Sequence, residues 1–189
     1  MNNLIIIAHP DKQSFCHNGI FKTIYSTLID NKENVSVIDL YEEKYDVFGD
    51  NEKTNLYQEL ITKSNRIYII SPVWWFRCTP LLESFFDQVL SPGFAYKFIP
   101  VTKTLAIPKP YLNDKKVRTF LTHGAPALPV MTLYVNSVKL RLVMGVYSFV
   151  FGWFKTKTRQ FWSVPFVSQE KRKRYLKKVV KDVEKDIKG

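Results

Sequence analysis

The sequence predicts an α/β fold, a three-layer sandwich in which helices cover both faces of a five-stranded parallel sheet. Short apolar runs rich in β-branched residues alternate with longer segments of helical period, and this alternation is typical of right-handed βαβ crossovers. The first and third runs are almost wholly apolar, as expected of central strands that are buried on both faces. Five strands in this arrangement favour the order 2-1-3-4-5 over a six-stranded nucleotide-binding sheet.

Each element can be placed along the chain in order. Five runs are strand candidates, the last less regular than the others: residues 4–8, 35–39, 66–71, 117–122 and 161–167. Apolar residues at helical spacing predict helices between them, near residues 17–31, 53–64, 79–90 and 133–150. The chain closes with a predicted helix over 169–188, which has an apolar face opposite a face of lysines.

Length and composition predict one domain spanning residues 1–189, since 46% of the residues are hydrophobic. The two cysteines, Cys16 and Cys78, are too few for a disulfide framework and belong to no metal-ligand cluster, which favours a reducing compartment and no metal site. The N-terminal segment lacks the basic region and cleavage site of a signal peptide, so we expect a cytoplasmic protein. The apolar run 142–154 is too short for a membrane span and is interpreted as a buried helix or a subunit contact.

The net charge of +11 is concentrated in the second half of the chain. Residues 1–100 carry 9 Lys and Arg against 12 Asp and Glu, whereas residues 101–189 carry 19 against 5. A solvated helix face is one explanation of the basic half. The alternative is attraction to an anionic cofactor or to a membrane surface, as a peripheral contact. Nucleic acid is not expected as a partner, because no recognition motif accompanies the charge.

Ligands of open parallel sheets bind outside the carboxyl ends of the strands, and here that rule selects three loops. The first, "AHPDKQSFCH", lacks both the GxGxxG and the Walker patterns. It offers His9, and it offers Ser14 with backbone amides just before an expected helix, where a phosphate group can bind. The alternatives are that Ser14 only caps the helix and that His9 is structural.

The second and third loops suit a planar ligand. "SPVWWFRCTP" places Trp74, Trp75 and Phe76 where they can flank a flat ring, although each could instead pack beneath a neighbouring helix. "LTHGAPALP" contains Gly124, which would allow backbone to approach the ring from another side. A planar, phosphorylated, redox-active ligand satisfies all three loops, and flavin mononucleotide (FMN) is the obvious candidate.

Three segments in this order, "LIIIAHPDKQSF", "SPVWWFRCTPLLESFFDQVLSPGFAY" and "TFLTHGAP", resemble the flavodoxin-like NAD(P)H:quinone oxidoreductase family, which includes drug-activity modulators and potassium-efflux ancillary proteins. The likeness runs from residue 1 to about residue 126. It implies a flavodoxin-like fold and a homodimer that binds FMN or FAD. It also implies NAD(P)H as electron donor and two-electron reduction of quinones in alternating steps. The long C-terminal extension that helps some members hold FAD is not evident, which favours FMN.

The resemblance also implies site residues. The phosphate and ribityl end of the flavin would contact His9, Ser14 and Phe15. Along the ring system would lie Pro72, Val73, Trp74, Trp75 and Phe76, with the turn Thr122, His123 and Gly124. The acceptor pocket would receive Tyr96 and Phe98 from the partner subunit, unless the segment 93–98 folds back onto its own domain.

The resemblance also bears on catalysis and on an alternative function. No side chain is assigned a catalytic role, since the flavin carries the chemistry, but His123 stands where the family commonly has glycine and could assist at the ring. The alternative function is a flavin-binding regulatory subunit that docks on a membrane transporter such as a potassium-efflux system. The basic half of the chain favours this alternative, whereas the intact acceptor-site motif favours an enzyme.

Overall fold

The computed structural model describes residues 1–48 and 51–189. The strands are β1 (Asn2–Ile7), β2 (Asn34–Asp39), β3 (Arg66–Pro72), β4 (Tyr96–Pro100), β5 (Ala106–Pro110), β6 (Lys116–Thr122) and β7 (Thr156–Phe161). The helices are α1 (Lys22–Asp30), α2 (Asn51–Lys63), α3 (Pro80–Val89), α4 (Ala127–Thr132), α5 (Ser137–Leu140), α6 (Ser148–Val150) and α7 (Gln169–Lys188). Two π-helical segments, Phe15–Phe21 and Arg141–Tyr147, lead directly into α1 and α6.

Five strands form a parallel sheet of order β2-β1-β3-β6-β7. This is the predicted flavodoxin-like order 2-1-3-4-5, and the prediction is confirmed. In the register, Ile5 lies between Val37 of β2 and Tyr68 of β3. Every residue of β3 is buried, which explains why that strand reads as a continuous apolar run.

Two hydrophobic clusters cover the two faces of the sheet. Because alternate strand residues point to opposite faces, Leu4 and Ile6 join one cluster with α2 and α3, whereas Ile5 and Ile7 join the other with α1 and α7. The carboxyl ends of β1, β3 and β6 therefore lie between the two layers of helices.

The fifth strand differs from its prediction. It covers Thr156–Phe161 rather than residues 161–167, and only Phe161 is common to both. β7 is the edge strand of the sheet, and an edge strand is free to carry polar side chains on its exposed side. The apolar residues that suggested a strand instead form the loop between β7 and α7, in which Ser163 has φ +52°.

Two further differences concern residues 93–150. Residues 96–110 form a two-stranded antiparallel sheet, β4 with β5, in which Phe98 lies opposite Pro108. The prolines in these residues disfavour a strand when the sequence alone is considered. Both strands of a two-stranded sheet are edge strands, however, and edge strands tolerate proline. The single helix predicted near 133–150 is instead α5, a π-helical segment and α6, because Val135 and Asn136 adopt left-handed conformations just before α5.

Helix α7 matches its prediction and begins at a cap, where the Lys171 N–H donates to Ser168 Oγ at 3.3 Å. Its apolar face, with Val179 and Val183, is fully buried in the second cluster. Its lysines are exposed for the most part, so a solvated face accounts for much of the basic charge. Within the described residues, every helix is too short or too polar to cross a membrane.

Candidate functional site

A cleft of about 460 Å³ opens at the carboxyl ends of β1, β3 and β6. All three predicted loops contribute to its walls. Nine of the predicted ligand-binding residues line it: His9, Ser14, Phe15, Pro72, Val73, Trp74, Thr122, His123 and Gly124. Six residues without a predicted role complete the lining: Asp11, Gln13, Cys16, Val164, Pro165 and Arg172.

Hydrogen bonds and ion pairs hold the first loop in place. The Asp11 N–H donates to His9 Nδ1 at 3.0 Å, and the Nε2–H of His17 donates to the carbonyl oxygen of His9 at 3.0 Å. Lys12 pairs with Asp39 at the end of β2 and with Glu42 beyond it. Burial, and secondarily the neighbouring His17, lower the pKa of His9. His9 is therefore a neutral imidazole at physiological pH whose remaining Nε2–H is a hydrogen-bond donor.

Ser14 does cap the following helical segment, as the structural alternative held. Its Oγ accepts the His17 N–H at 3.3 Å, which leaves the hydroxyl hydrogen available. The next backbone N–H groups, those of Phe15 and Cys16, have no acceptor within residues 1–48 and 51–189. Unpaired amides at the start of a helical segment favour an anion. Capping and anion binding are thus compatible at this loop.

Gly19 determines where the Phe15 ring lies. A Cβ built on Gly19 would come within 2.7 Å of that ring, closer than packed carbon atoms approach. The ring instead occupies this space, with its centroid 6.3 Å from Phe161 and 6.5 Å from Tyr175. A larger residue at position 19 would displace Phe15 from the wall of the cleft.

The second loop turns through a backbone conformation that is rare for large residues. The N–H groups of Trp74 and Arg77 donate to each other's carbonyl oxygens at 2.9 and 3.0 Å, and the two residues between them, Trp75 and Phe76, have φ +49° and +61°. Such turns usually contain Asn-Gly, and outliers of this kind concentrate at functional sites. The N–H groups of Trp75 and Phe76 have no acceptor in the described part of the chain.

The three aromatic side chains of this turn have different surroundings. Trp74 lies in the cleft wall, with its ring centroid 6.2 Å from that of His9. Trp75 is 89% exposed and lines an adjacent depression. Phe76 stacks on Tyr134, in the turn that follows α4, at 4.2 Å, so its side chain packs against another segment of the chain and does not line the cleft.

A partly buried acid, Glu83, fixes the base of this turn. The Cys78 N–H donates to Glu83 Oε1 at 2.9 Å, and the Glu83 carboxylate also receives both terminal nitrogens of Arg141. Because Arg141 begins a π-helical segment, this pair links the aromatic loop to a separate part of the chain. The link restrains the loop next to the cleft.

The third loop contributes a neutral histidine. His123 is 3% exposed, stacks on Trp162 at 4.1 Å and donates from Nε2–H to Gln160 Oε1 at 3.0 Å. Burial lowers the pKa of His123 to about 4, against the opposing effect of the Gln160 hydrogen bond. His123 therefore carries no positive charge at neutral pH, and the assistance predicted for it at the ring could come only from a neutral imidazole.

Gly124 leaves open space at the edge of the cleft. A Cβ built there meets no heavy atom within 4 Å, and the backbone does not require glycine. We therefore expect Gly124→Ala to change the free energy of unfolding by less than about 0.5 kcal/mol while weakening ligand binding several-fold. Urea unfolding and ligand titration of the variant check the two effects. A variant that loses stability but binds normally would assign Gly124 to the fold instead.

Arg172 is the main site residue that sequence reasoning missed. It lies in the first turn of α7, where one terminal nitrogen donates to the Val164 carbonyl oxygen at 3.0 Å. Its Nε is buried without a partner among the described residues. Arg172 was missed because the position of β7 was predicted wrongly: the loop that follows β7 was interpreted as a strand. With β7 placed correctly, α7 begins at the same edge of the sheet as the cleft.

Tyr96 and Phe98 do not line this cleft within one chain. Both lie on β4, where their rings form an aromatic cluster with Phe149, with centroids 5.4 to 6.3 Å apart. Phe98 remains 51% exposed. Their predicted role in an acceptor pocket therefore requires a second copy of the chain.

The arrangement is suited to binding rather than to nucleophilic or metal chemistry. Burial raises the pKa of both Cys16 and Cys78 to about 12, which keeps them as thiols. Among the described residues, no three His, Cys, Asp or Glu side chains lie close enough to hold a metal ion. What remains is a cleft with a lining part polar and part apolar, at which the Ser14 hydroxyl, two backbone N–H groups and Arg172 Nε lack acceptors among the described residues, surroundings that suit an anionic ligand.

Relatives in sequence cover part of the chain. An uncharacterized NAD(P)H oxidoreductase from Haemophilus influenzae is 29% identical over 137 residues, which is 66% of this chain and 65% of that protein. The glutathione-regulated potassium-efflux system ancillary protein KefG from an Enterobacter species is 33% identical over 92 residues, 49% of this chain and 46% of KefG. The chain thus spans about half to two thirds of these relatives.

Solved structures match over nearly the whole chain. Smu.1420 from Streptococcus mutans superposes with a TM-score of 0.83 at 25% identity, covering 97% of this chain and 98% of that one. An FMN-dependent NADH-azoreductase from Bacillus anthracis, solved with FMN, gives a TM-score of 0.71 at 16% identity over 97% and 98% of the chains. At that identity the likeness concerns the fold. A family model described as a flavodoxin-like fold matches residues 1–178, and the chain belongs to this family.

Proposed function

We propose that this protein is a flavin-dependent NAD(P)H oxidoreductase that binds FMN in the cleft and reduces quinones or related acceptors. One observation carries the proposal: all three predicted loops line one cleft, and the Ser14 hydroxyl, the N–H groups of Phe15 and Cys16 and the buried Nε of Arg172 lack acceptors there among the described residues. Its volume of about 460 Å³ lies within the range of small-molecule sites. The oxidoreductase relative and the FMN-bound structural neighbour support this choice of chemistry.

The residues divide the cleft into two parts. The phosphate end would be held by the Ser14 hydroxyl, the N–H groups of Phe15 and Cys16, and the Arg172 guanidinium. The ring would lie against the loop 72–76 and the turn 122–124, where the N–H groups of Trp75 and Phe76 are free to donate. A flavin held by these residues would supply the hydride-transfer chemistry that connects NAD(P)H to the acceptor.

The chain itself contributes position and electrostatics. Fixed backbone N–H groups stabilise negative charge that develops on ring carbonyls, and their orientation is set in advance by the strained turn. His9 adds a neutral donor at the phosphate end, and Trp74 excludes water beside it. His123, held by Gln160 and Trp162, shapes the wall and supplies no charge. FMN is preferred to FAD because the Bacillus anthracis azoreductase that shares this fold was solved with FMN.

The purified protein is expected to absorb near the flavin bands or to take up FMN on titration, and to oxidise NAD(P)H with a soluble quinone. Double-reciprocal plots at several quinone concentrations should be parallel, because both substrates would use the cleft in turn. Intersecting lines would require a separate acceptor site. A colourless protein with no FMN or FAD binding would contradict the proposal itself.

We further propose that the protein is a homodimer in a reducing, cytoplasmic setting. Large apolar side chains are exposed on the β4–β5 sheet and on the segment 127–144, among them Phe98, Ile107, Leu128, Leu133 and Val135. Exposed apolar surface of this extent is typical of an interface. The dimer would bring Tyr96 and Phe98 to the partner's cleft, which they do not reach in their own chain.

Mixing two variants, assayed at an FMN concentration that leaves the cleft of Arg172→Ala unfilled, tests this shared pocket. Under subunit exchange, Arg172→Ala with Tyr96→Ala is expected to regain about one quarter of wild-type activity, because half of the subunits enter mixed dimers and each mixed dimer has one intact site. Sedimentation and a tagged-subunit assay verify dimerisation and exchange. Activity no higher than the sum of the separate variants, with exchange demonstrated, would place Tyr96 at its own subunit's surface only.

The likeness to KefG favours a second candidate, a flavin-binding regulatory subunit of a membrane transporter. Both candidates predict flavin binding. Steady NAD(P)H oxidation by the isolated protein distinguishes them, since a purely regulatory subunit would bind FMN without sustained turnover.

A further inference from the structure

A second pocket lies at the opposite end of the sheet from the cleft. It is built where β3 begins at Arg66 and β6 begins at Lys116, beside the last turns of α7, and its volume is about 290 Å³. We name it the basal pocket. The proposed redox function makes no use of it.

The floor of the basal pocket holds two buried donors that lack partners. Arg66 and Tyr68 line the pocket and are 2% and 1% exposed. Within residues 1–48 and 51–189, neither Arg66 Nε nor the Tyr68 hydroxyl has a hydrogen-bonding partner. The other Arg66 nitrogens are used, since they donate to Glu33 at 3.1 Å and to the Ile187 carbonyl oxygen at 3.1 Å.

Such groups are uncommon in native proteins, where buried polar atoms nearly always find a partner. Burial, reinforced by the nearby Asp186, raises the pKa of Tyr68, so its hydroxyl stays protonated. The floor therefore presents the Arg66 Nε–H and the Tyr68 O–H, and both groups need a hydrogen-bond acceptor.

The walls add positive charge. Six cationic residues line the pocket, namely Arg66, Lys116, Arg118, Lys155, Lys157 and Lys185, against one acidic side chain, that of Asp186. That carboxylate is already bound by Arg118 and by Lys157, the latter at 3.2 Å. No carboxylate oxygen of the described residues lies within 4.0 Å of the ammonium of Lys155 or Lys185. The ammonium of Lys116 donates to the Gly189 carbonyl oxygen.

We propose that the basal pocket binds a phosphate monoester. An anion there would accept from Arg66 Nε and the Tyr68 hydroxyl at the floor and would be neutralised by Lys155 and Lys185 at the rim. The several oxygens of a phosphate group suit this number of donors better than the two of a carboxylate. Phe154, also at the rim, is 97% exposed and can cover the organic part of the ester.

Isothermal titration with inorganic phosphate tests the site. We expect the basal pocket to bind one phosphate with a dissociation constant of about 0.1–1 mM, and this binding to persist at the same affinity in Arg172→Ala, which removes the cation of the cleft and with it any phosphate bound there. Lys155→Gln with Lys185→Gln should lower the affinity at least about 10-fold. Tyr68→Phe should lower it about 3-fold without loss of thermal stability, because the deleted hydroxyl has no partner.

Lys171→Gln with Lys173→Gln is the matched control, since it makes the same charge change at the other end of α7 and should alter the affinity less than about twofold. No saturation below about 10 mM would overturn the proposal. Loss of binding in Arg172→Ala, or equal losses in the two lysine pairs, would overturn it as well.

The phosphate group could belong to a soluble ester or to a lipid head group. Flotation with phosphatidylcholine vesicles containing phosphatidic acid distinguishes the two, with the Lys155 and Lys185 double variant as comparison. Vesicle binding that needs both lysines and is competed by phosphate supports the lipid. Phosphate binding without vesicle binding supports a soluble ester. Vesicle binding that persists in the double variant, without saturable phosphate binding, reflects general charge attraction and contradicts the site.

Discussion

Replacing Arg172 with alanine is expected to weaken FMN binding by about 10- to 100-fold, the usual value of a hydrogen bond to a charged group. The side chain lines the cleft, and its buried Nε has no partner among the described residues. A ligand phosphate would supply that partner. Fluorescence titration of FMN into the variant measures the loss.

Two variants control for this result. Arg174→Ala makes the same charge change on an exposed position of the same helix and should leave FMN affinity within about twofold. Arg172→Lys keeps the charge but not the planar donors, so it should restore affinity in part. Because Arg172 also holds the Val164 carbonyl oxygen, thermal melting is measured alongside. Unchanged FMN affinity in a folded Arg172→Ala variant would limit this residue to bracing the loop.

The largest expected effect on stability is at Asp186. Its carboxylate receives two nitrogens of Arg118, and the two residues are 8% and 6% exposed. Asp186→Ala leaves the Arg118 charge buried beside Asp182 alone, which lies 3.4 Å away. We expect a loss of about 3–5 kcal/mol in the free energy of unfolding, measured by urea titration at neutral pH. Glu184→Ala, on an exposed position of the same helix, should cost less than about 0.5 kcal/mol.

The same pair predicts a pH dependence. Burial raises the pKa of Asp186, but the hydrogen bond and charge of Arg118 outweigh it, so the pKa is lowered in the folded protein. A lowered pKa means that the stabilisation is complete above the unfolded value of about 4 and is lost as the pH falls through the folded value. The difference between wild type and Asp186→Ala should therefore shrink below pH 4. A difference that stays constant down to pH 2 would contradict the ion pair as its source.

Sequence reasoning predicted the elements whose side chains are buried in a regular pattern. Strand β3 reads as a continuous apolar run because both of its faces are covered, and α7 shows its period because one face alone meets the core. The covered and exposed faces of these elements therefore appear in the sequence as a regular pattern of apolar and polar residues. The strand order predicted that His9, Ser14 and Gly124 would lie at one cleft, because ligands of such sheets bind outside the carboxyl ends of the strands where the strand order reverses.

What was missed depends on contacts between distant segments. The edge strand β7 carries a polar sequence because its neighbour on one side is solvent, so no apolar run marks it. Arg172 meets the cleft only because α7 starts where β7 ends. The left-handed backbone of Trp75 and Phe76 is also unpredictable locally, since sterics disfavour it for large residues and only the surrounding structure maintains it.

The exposed indole of Trp75 gives the protein an intrinsic optical signal. It is the most exposed of the four tryptophans, and its neighbour Trp74 is in the wall of the cleft. An indole in water emits at longer wavelength than one in an apolar environment. A ligand or partner subunit that covers the aromatic turn should therefore shift the emission of Trp75 to the blue, whereas a ligand at the far end of the sheet would leave it unchanged. In a Trp153→Phe variant, which removes the exposed indole next to Phe154 at the basal pocket, the wavelength of this emission thus reports which end of the molecule is occupied, without any added label.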